Sequence, residues 1–179
     1  LIFHPSAQYG YKIYPKNLRN ELLRLLDGLN IPIIITGSDN EIDRNISMEI
    51  QQTDNLLNYI GKTSLEEFIA ISKLSMAYVG MDTLNMHIAA SQQKRIFAIF
   101  GPTILSMWSP WSSSLKISAI QNLPIQNYGE ITIFQANMPC VACGKAGCCN
   151  NHGKSECLDH ISPNEVYKEI EVWYKSARI

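Results

Sequence analysis

The chain alternates short apolar runs with stretches whose apolar residues recur at helical spacing. Runs at residues 1–4, 31–36, 56–60, 76–81 and 95–100 have the length and composition of strands. Between them, residues 16–29, 40–52, 64–74 and 84–92 carry the helical period. This rhythm predicts an α/β fold, a Rossmann-like and mostly parallel sheet with helices on both faces, because each right-handed crossover lays its helix against the sheet. Thr63-Ser64-Leu65-Glu66 and Ser162-Pro163-Asn164-Glu165 fit capping boxes, in which a hydroxyl and a carboxylate satisfy the first free amides of a helix. The last helix, 163–177, puts Val166, Ile170 and Trp173 on one face, which predicts that it folds back to bury them. From 102 to 139 the pattern weakens, with 108–114 reading as a loop and 115–120 and 131–134 as short strands. The chain thus divides into a Rossmann-like domain at 1–135, a Cys-rich irregular segment at 136–161 and a C-terminal helix within 162–179 that packs back on the domain.

Composition narrows the function classes. With 179 residues, 46% of them hydrophobic, the chain fills one core and leaves little for a second full domain. Fifteen basic and sixteen acidic residues give a net charge of −1, without the basic run that nucleic acid or an anionic membrane would call for. No apolar stretch reaches the roughly 18 residues of a spanning helix, and the first residues lack a signal-peptide pattern. The expectation is a cytoplasmic protein, with room for peripheral association at the inner membrane face.

The most informative stretch is 76–103, where an apolar run breaks on Asp82-Thr83 and a second closes on Phe100-Gly101-Pro102-Thr103. At such a strand-to-helix junction the first helical amides are unpaired and sit at the carboxyl end of a strand, a favoured place for a diphosphate. Asp82 fits an N-cap, which orders the turn, or a ligand for sugar hydroxyls; the amides of Thr83 and Leu84 and the Thr83 hydroxyl are the phosphate candidates. His87 lies one turn on, on the face of Thr83, although a lone histidine in an apolar helix is more often a core residue. Thr103 and Gly101 read first as a structural turn and second as a phosphate contact. Glu41, at a helix start after Thr36-Gly37-Ser38, suits ribose hydroxyls or the helix dipole about equally. By position alone Lys12 is a surface lysine, though an ammonium near Ser6 is placed to neutralise a departing diphosphate.

All five cysteines fall in Cys140-x-x-Cys143, Cys148-Cys149 and Cys157, with His152 and His160 among them. Cys140, Cys143, Cys148 and Cys157 are the candidate ligands of a structural zinc, with Cys149 or His152 able to replace Cys148. Disulfides and free thiols are the competing readings.

Asp82-Thr83-Leu84-Asn85-Met86-His87-Ile88-Ala89-Ala90 followed by Phe100-Gly101-Pro102-Thr103 resembles the Asp-Thr-Gly-x-x-His-x-x-Ala and Phe-Gly-Pro-Thr signature of the family 9 glycosyltransferases, the bacterial heptosyltransferases of lipopolysaccharide core assembly. The resemblance extends through His4-Pro5-Ser6, Lys12 with Pro15, Thr36-Gly37-Ser38 with Glu41, and Gly61-Lys62-Thr63-Ser64-Leu65-Glu66. It implies one half of a GT-B fold, the half that grips a nucleotide-sugar donor, typically ADP-heptose. An acceptor domain on the amino-terminal side, absent from this sequence, would bring the lipopolysaccharide or other glycan and the general base. Resemblance further implies inversion at the anomeric carbon with no cofactor or catalytic metal. It assigns Lys12 to the donor phosphates as leaving-group stabiliser and Glu41 to the nucleoside, and it makes Ser6, Thr63, Asp82, Thr83, Leu84, His87 and Thr103 substrate-binding candidates. Leu84 stands where the family usually has glycine. A non-catalytic nucleotide-binding or interaction module with a degenerate donor site is the rival reading. No Gly-x-Gly-x-x-Gly follows any strand, which disfavours dinucleotide oxidoreductases.

Overall fold

The computed structural model describes residues 1–177; positions 178 and 179, the end of the expected C-terminal segment, lie outside the described residues. In chain order the elements are β1 (Ile2–His4), α1 (Lys16–Asp27), β2 (Ile33–Ile35), α2 (Glu41–Glu49), β3 (Leu56–Asn58), α3 (Leu65–Leu74), β4 (Ala77–Met81), α4 (Leu84–Ser91), β5 (Arg95–Ile99), α5 (Leu105–Trp108), β6 (Ile125–Tyr128), β7 (Ile131–Phe134) and α6 (Pro163–Ser176). The seven strands form one sheet in the order β3-β2-β1-β4-β5-β7-β6, parallel except for the β6–β7 hairpin.

The sheet is buried on both faces, which is why its central strands read as unbroken apolar runs. Phe3, Val79, Phe97 and Phe134 share one core with Leu22 of α1, Ile46 of α2 and Val166 and Ile170 of α6. Ile2, Tyr78, Ile96 and Ile131 share the other with Phe68 of α3 and Met86, Ala89 and Ala90 of α4. Helix α6 packs beside α1, with Trp173 edge-on to Phe97 at 5.6 Å. At the centre, His4 and Gly80 face each other across β1 and β4. A Cβ at Gly80 would lie 2.3 Å from the His4 carbonyl oxygen, so this spacing admits only glycine.

Three local expectations are corrected. The α3 cap sits one residue later than Thr63 and Glu66. Ser64 Oγ accepts from Glu67 N at 3.2 Å while Ser64 N donates to Glu67 Oε2 at 2.7 Å, leaving Thr63 outside the box. Ser162 is the N-cap of α6 but makes no side-chain cap bond; Pro163 in the first turn has no N–H to satisfy. Residues 115–120 are not a strand. Glu130 gathers Ser112 Oγ at 2.9 Å, Ser113 N at 2.7 Å and Ser114 Oγ at 2.6 Å, which pins that stretch as a turn with one bridge from Ser112 to Ile117. The strand in this region is β6, whose mostly solvent-facing Ile-Gln-Asn-Tyr carries no apolar alternation.

Candidate functional site

In this strand order, connections leave β1 toward β2 and leave β4 toward β5, so the chain diverges on either side of the β1–β4 pair. A crevice opens at the carboxyl ends of strands at such a switch point. The cleft here has a volume of about 750 Å³. Its walls come from the loop after β1 (Ser6, Tyr9, Lys12), the loop after β2 (Thr36, Ser38, Asn40), Thr63 before α3 and the junction into α4.

Two helix starts at this cleft are closed by side chains and one is open. Asn40 caps α2 through Asp43 N at 2.9 Å, and Ser64 caps α3. Thr83 is the N-cap of α4 yet makes no cap bond; its hydroxyl lies 3.3 Å from the Tyr78 hydroxyl, which donates to Met81 O. The first amides of α4 therefore keep their hydrogens for another acceptor, at the positive end of the helix. Asp82 is not the cap the sequence suggested. Its carboxylate turns to Lys12, with Nζ 2.9 Å from Oδ2, and the pair is largely enclosed. Lys12 lies in a single 3₁₀ turn, Gly10–Lys12, that swings it back over the cleft.

Ser6, Lys12, Thr63, Asp82, Thr83, Leu84 and His87 all line this one cleft. His87 is half-buried, and burial lowers its pKa, with Asp82 opposing that shift and Lys12 adding to it. Leu84 is helical, not left-handed, and its side chain is 61% exposed, so the residue found in place of glycine needs no positive φ. Glu41 is exposed in the first turn of α2 and is not part of the cleft lining. The buried carboxylate of that helix is Asp43, which accepts from Ser6 Oγ and Ser38 N and so ties the loops after β1 and β2 together. Its sequence signal was Asn40-x-x-Asp43, a cap with an acid at the third helical position. Thr103 is buried outside the cleft with its hydroxyl unpartnered. Its turn serves the tail: Pro102 O accepts from Gly144 N at 2.7 Å, and Gly101 packs on Leu158.

Cys140, Cys143, Cys148 and Cys157 line one small cavity of about 50 Å³, together with Ser155, whose buried hydroxyl has no partner. Burial pushes the Cys157 thiol up to about 11, and the other three cysteines add to that shift. All five cysteines are free, and among the described residues no three Cys, His, Asp or Glu side chains converge tightly enough to hold an ion as they stand. The segment also braces the cleft. His152 meets Tyr11 edge-on at 6.3 Å, Tyr11 stacks on Tyr9 at 5.4 Å, and the Tyr14 hydroxyl donates to Ile161 O.

Residues 1–135 match glycosyltransferase family 9 (heptosyltransferase). The chain belongs to this family. Lipopolysaccharide heptosyltransferase 3 of Escherichia coli is 23% identical over 118 residues, which is 64% of this chain and 35% of that protein. The structure of E. coli ADP-heptose LPS heptosyltransferase II matches 99% of this chain and 47% of its own, at 20% identity and a TM-score of 0.70. The iron-containing dodecameric glycosyltransferase TibC of enterotoxigenic E. coli matches 98% of this chain and 45% of its own, at 11% identity and a TM-score of 0.64. This family 9 chain thus spans about a third of its curated relative and under half of each structural neighbour. No described helix is long and apolar enough to cross a membrane.

Proposed function

We propose that this chain is the donor-binding half of a glycosyltransferase that moves a heptose or related sugar from a nucleoside diphosphate, ADP-heptose being the favoured donor, to a lipopolysaccharide or other glycan. The reading is carried by the open start of α4 beside Lys12 at the switch point of the sheet. The α4 amides and the Thr83 hydroxyl receive the diphosphate, and Lys12 offsets the charge that grows on it as the sugar leaves. Ser38, Asn40 and Thr63 lie along the cleft toward the nucleoside; Glu41 reaches a ribose only by turning over the rim. Inversion without a catalytic metal needs a base to take the acceptor proton, and that base belongs to the acceptor half.

The degenerate-site reading rested on Leu84, and the helical backbone there removes its conformational ground. The cysteine cavity is proposed as a structural metal site. Four thiols around one small cavity, beside the orphaned Ser155 hydroxyl, form a soft donor set suited to zinc, or to the iron named for TibC, once drawn together, and such a metal would order a segment with few apolar residues. Calorimetry with ADP and adenosine tests the donor reading. The chain should bind ADP, and Lys12→Ala should weaken ADP roughly tenfold while sparing adenosine. No ADP binding at millimolar concentration, or equal losses for both ligands, would refute it.

A further inference from the structure

One nitrogen of the cleft is unused by these assignments. His4 ends β1 at the switch point and is 6% exposed. Its Nδ1 lies 3.0 Å from Thr36 Oγ1 and 3.2 Å from Asn85 Nδ2, in the first turn of α4. An amide NH₂ can only donate, so the placement of Asn85 Nδ2 favours the tautomer in which Nδ1 accepts and the ring proton sits on Nε2. The ring's other polar neighbour is the Thr36 backbone; the ring lines the cleft, Nε2 is not among the sealed, unpartnered atoms of the interior, and we take it to be the edge that opens on the cleft. Tyr78 stacks against the ring at 6.3 Å and Phe68 meets it edge-on at 6.4 Å, which holds that orientation. Burial keeps the imidazole neutral, with its pKa lowered to about 4 against the opposing pull of a hydrogen bond to the Thr36 backbone.

We propose that His4 donates its Nε2 hydrogen to a non-bridging oxygen of the donor diphosphate and so positions the leaving group over the first turn of α4. The inference rests on the nucleoside diphosphate reading above. A histidine serving only the core would have both nitrogens satisfied by protein, and here one is left facing the ligand space. The diphosphate is favoured over a sugar hydroxyl because Asn85, which fixes the ring, belongs to the helix start whose amides are free. A neutral donor complements Lys12: the lysine supplies charge, and the imidazole supplies direction without exchanging a proton with the leaving group.

Long-range proton–nitrogen NMR on the 179-residue chain, labelled at histidine, reads this directly. The free chain should show His4 protonated at Nε2, and that resonance should shift on saturation with ADP but not with adenosine. His4→Phe, which keeps the ring packing, should lower ADP affinity about fivefold and adenosine affinity by less than about twofold. Protonation at Nδ1, an Nε2 signal indifferent to bound ADP, or equal losses for both ligands would overturn the assignment. A wild-type chain that binds no ADP removes the nucleotide reading and this inference with it, so the two failures are distinguishable. Should His4→Phe not fold, the wild-type spectra decide alone.

Discussion

The ion pair of Lys12 with Asp82 means that an incoming diphosphate meets an ammonium already engaged. A carboxylate so close to phosphate would repel it if unpaired, so the lysine both attracts the ligand and screens Asp82. His4 makes the same cleft acid-sensitive. An unfolded histidine titrates near 6.5, whereas folded His4 takes a proton only near 4. Between those values the unfolded chain binds more protons, so stability is complete above about pH 6.5 and is lost as pH falls toward 4, by about 3 kcal/mol for this group. His87 shifts in the same direction, while Lys12, Asp43 and Asp82 are the charged groups around them. Burial would raise the pKa of Glu130, but Ser114, Ser113 and Ser112 hold it down to about 2, so its own contribution is lost only below the ordinary carboxylate range. Urea unfolding at stepped pH should show a falling midpoint from pH 6.5 to 4.5 in the wild type and a flatter profile in His4→Phe; parallel profiles would refute the assignment. The role of Lys12 was legible through the resemblance, but the state of His4 was not, since the sequence shows it only at the end of an apolar run and in His4-Pro5-Ser6. Its neutrality comes from burial among groups such as Phe68 and Tyr78, brought to it only by folding, and prevails over a hydrogen bond to the Thr36 backbone that favours the charged ring.

Among the elements, caps divide the helices by task. Helices α2 and α3 spend a side chain on their first amides, and α4 leaves its own open. The Asp-Thr break made the α4 junction legible, but Asp and Thr both cap helices, and only the diversion of Asp82 to Lys12 and Thr83 to Tyr78 shows that neither does. The cysteine segment gives the opposite lesson. Clustering was visible, but its contact with Tyr11 depends on an irregular path that no periodicity encodes. A sequence reading would leave nucleotide affinity indifferent to the tail, because every donor motif precedes residue 104. The packing of His152 on Tyr11 and of Tyr14 on Ile161 argues instead for a coupling between the tail and the turn that carries Lys12. Metal analysis of the purified chain should find one bound ion, and removing it with a chelator should weaken ADP at least about threefold by loosening the turn that carries Lys12. Finding no metal would discard the site, and unchanged affinity after its removal would discard the coupling.

For the whole molecule, the parallel sheet and its two helical layers followed from apolar period alone, because a sheet covered on both faces must be apolar on both. What failed was the strand expected at 115–120, a turn held by serine hydroxyls on Glu130 and not by apolar alternation, and the solvent-facing edge strand β6, which was not expected. The span of the match, under half of each structural neighbour, sets the last expectation. The chain should bind ADP yet release no ADP from ADP-heptose in the presence of acceptor glycan, and transfer should appear when an acceptor half is supplied. Robust transfer by this chain alone would place the base within it.

The missing side chain at Gly80 also says where this protein can change. Apart from His4 at the end of β1, most residues that line the cleft stand on loops and helices, where Leu84 and Trp108 can be exchanged one at a time without moving a strand. The gap between β1 and β4 has no such freedom, since one added carbon would drive into the His4 carbonyl and part the two strands on which the whole cleft hinges. The cleft lining is therefore open to gradual redesign from the rim inward, while the frame that presents it tolerates a single answer.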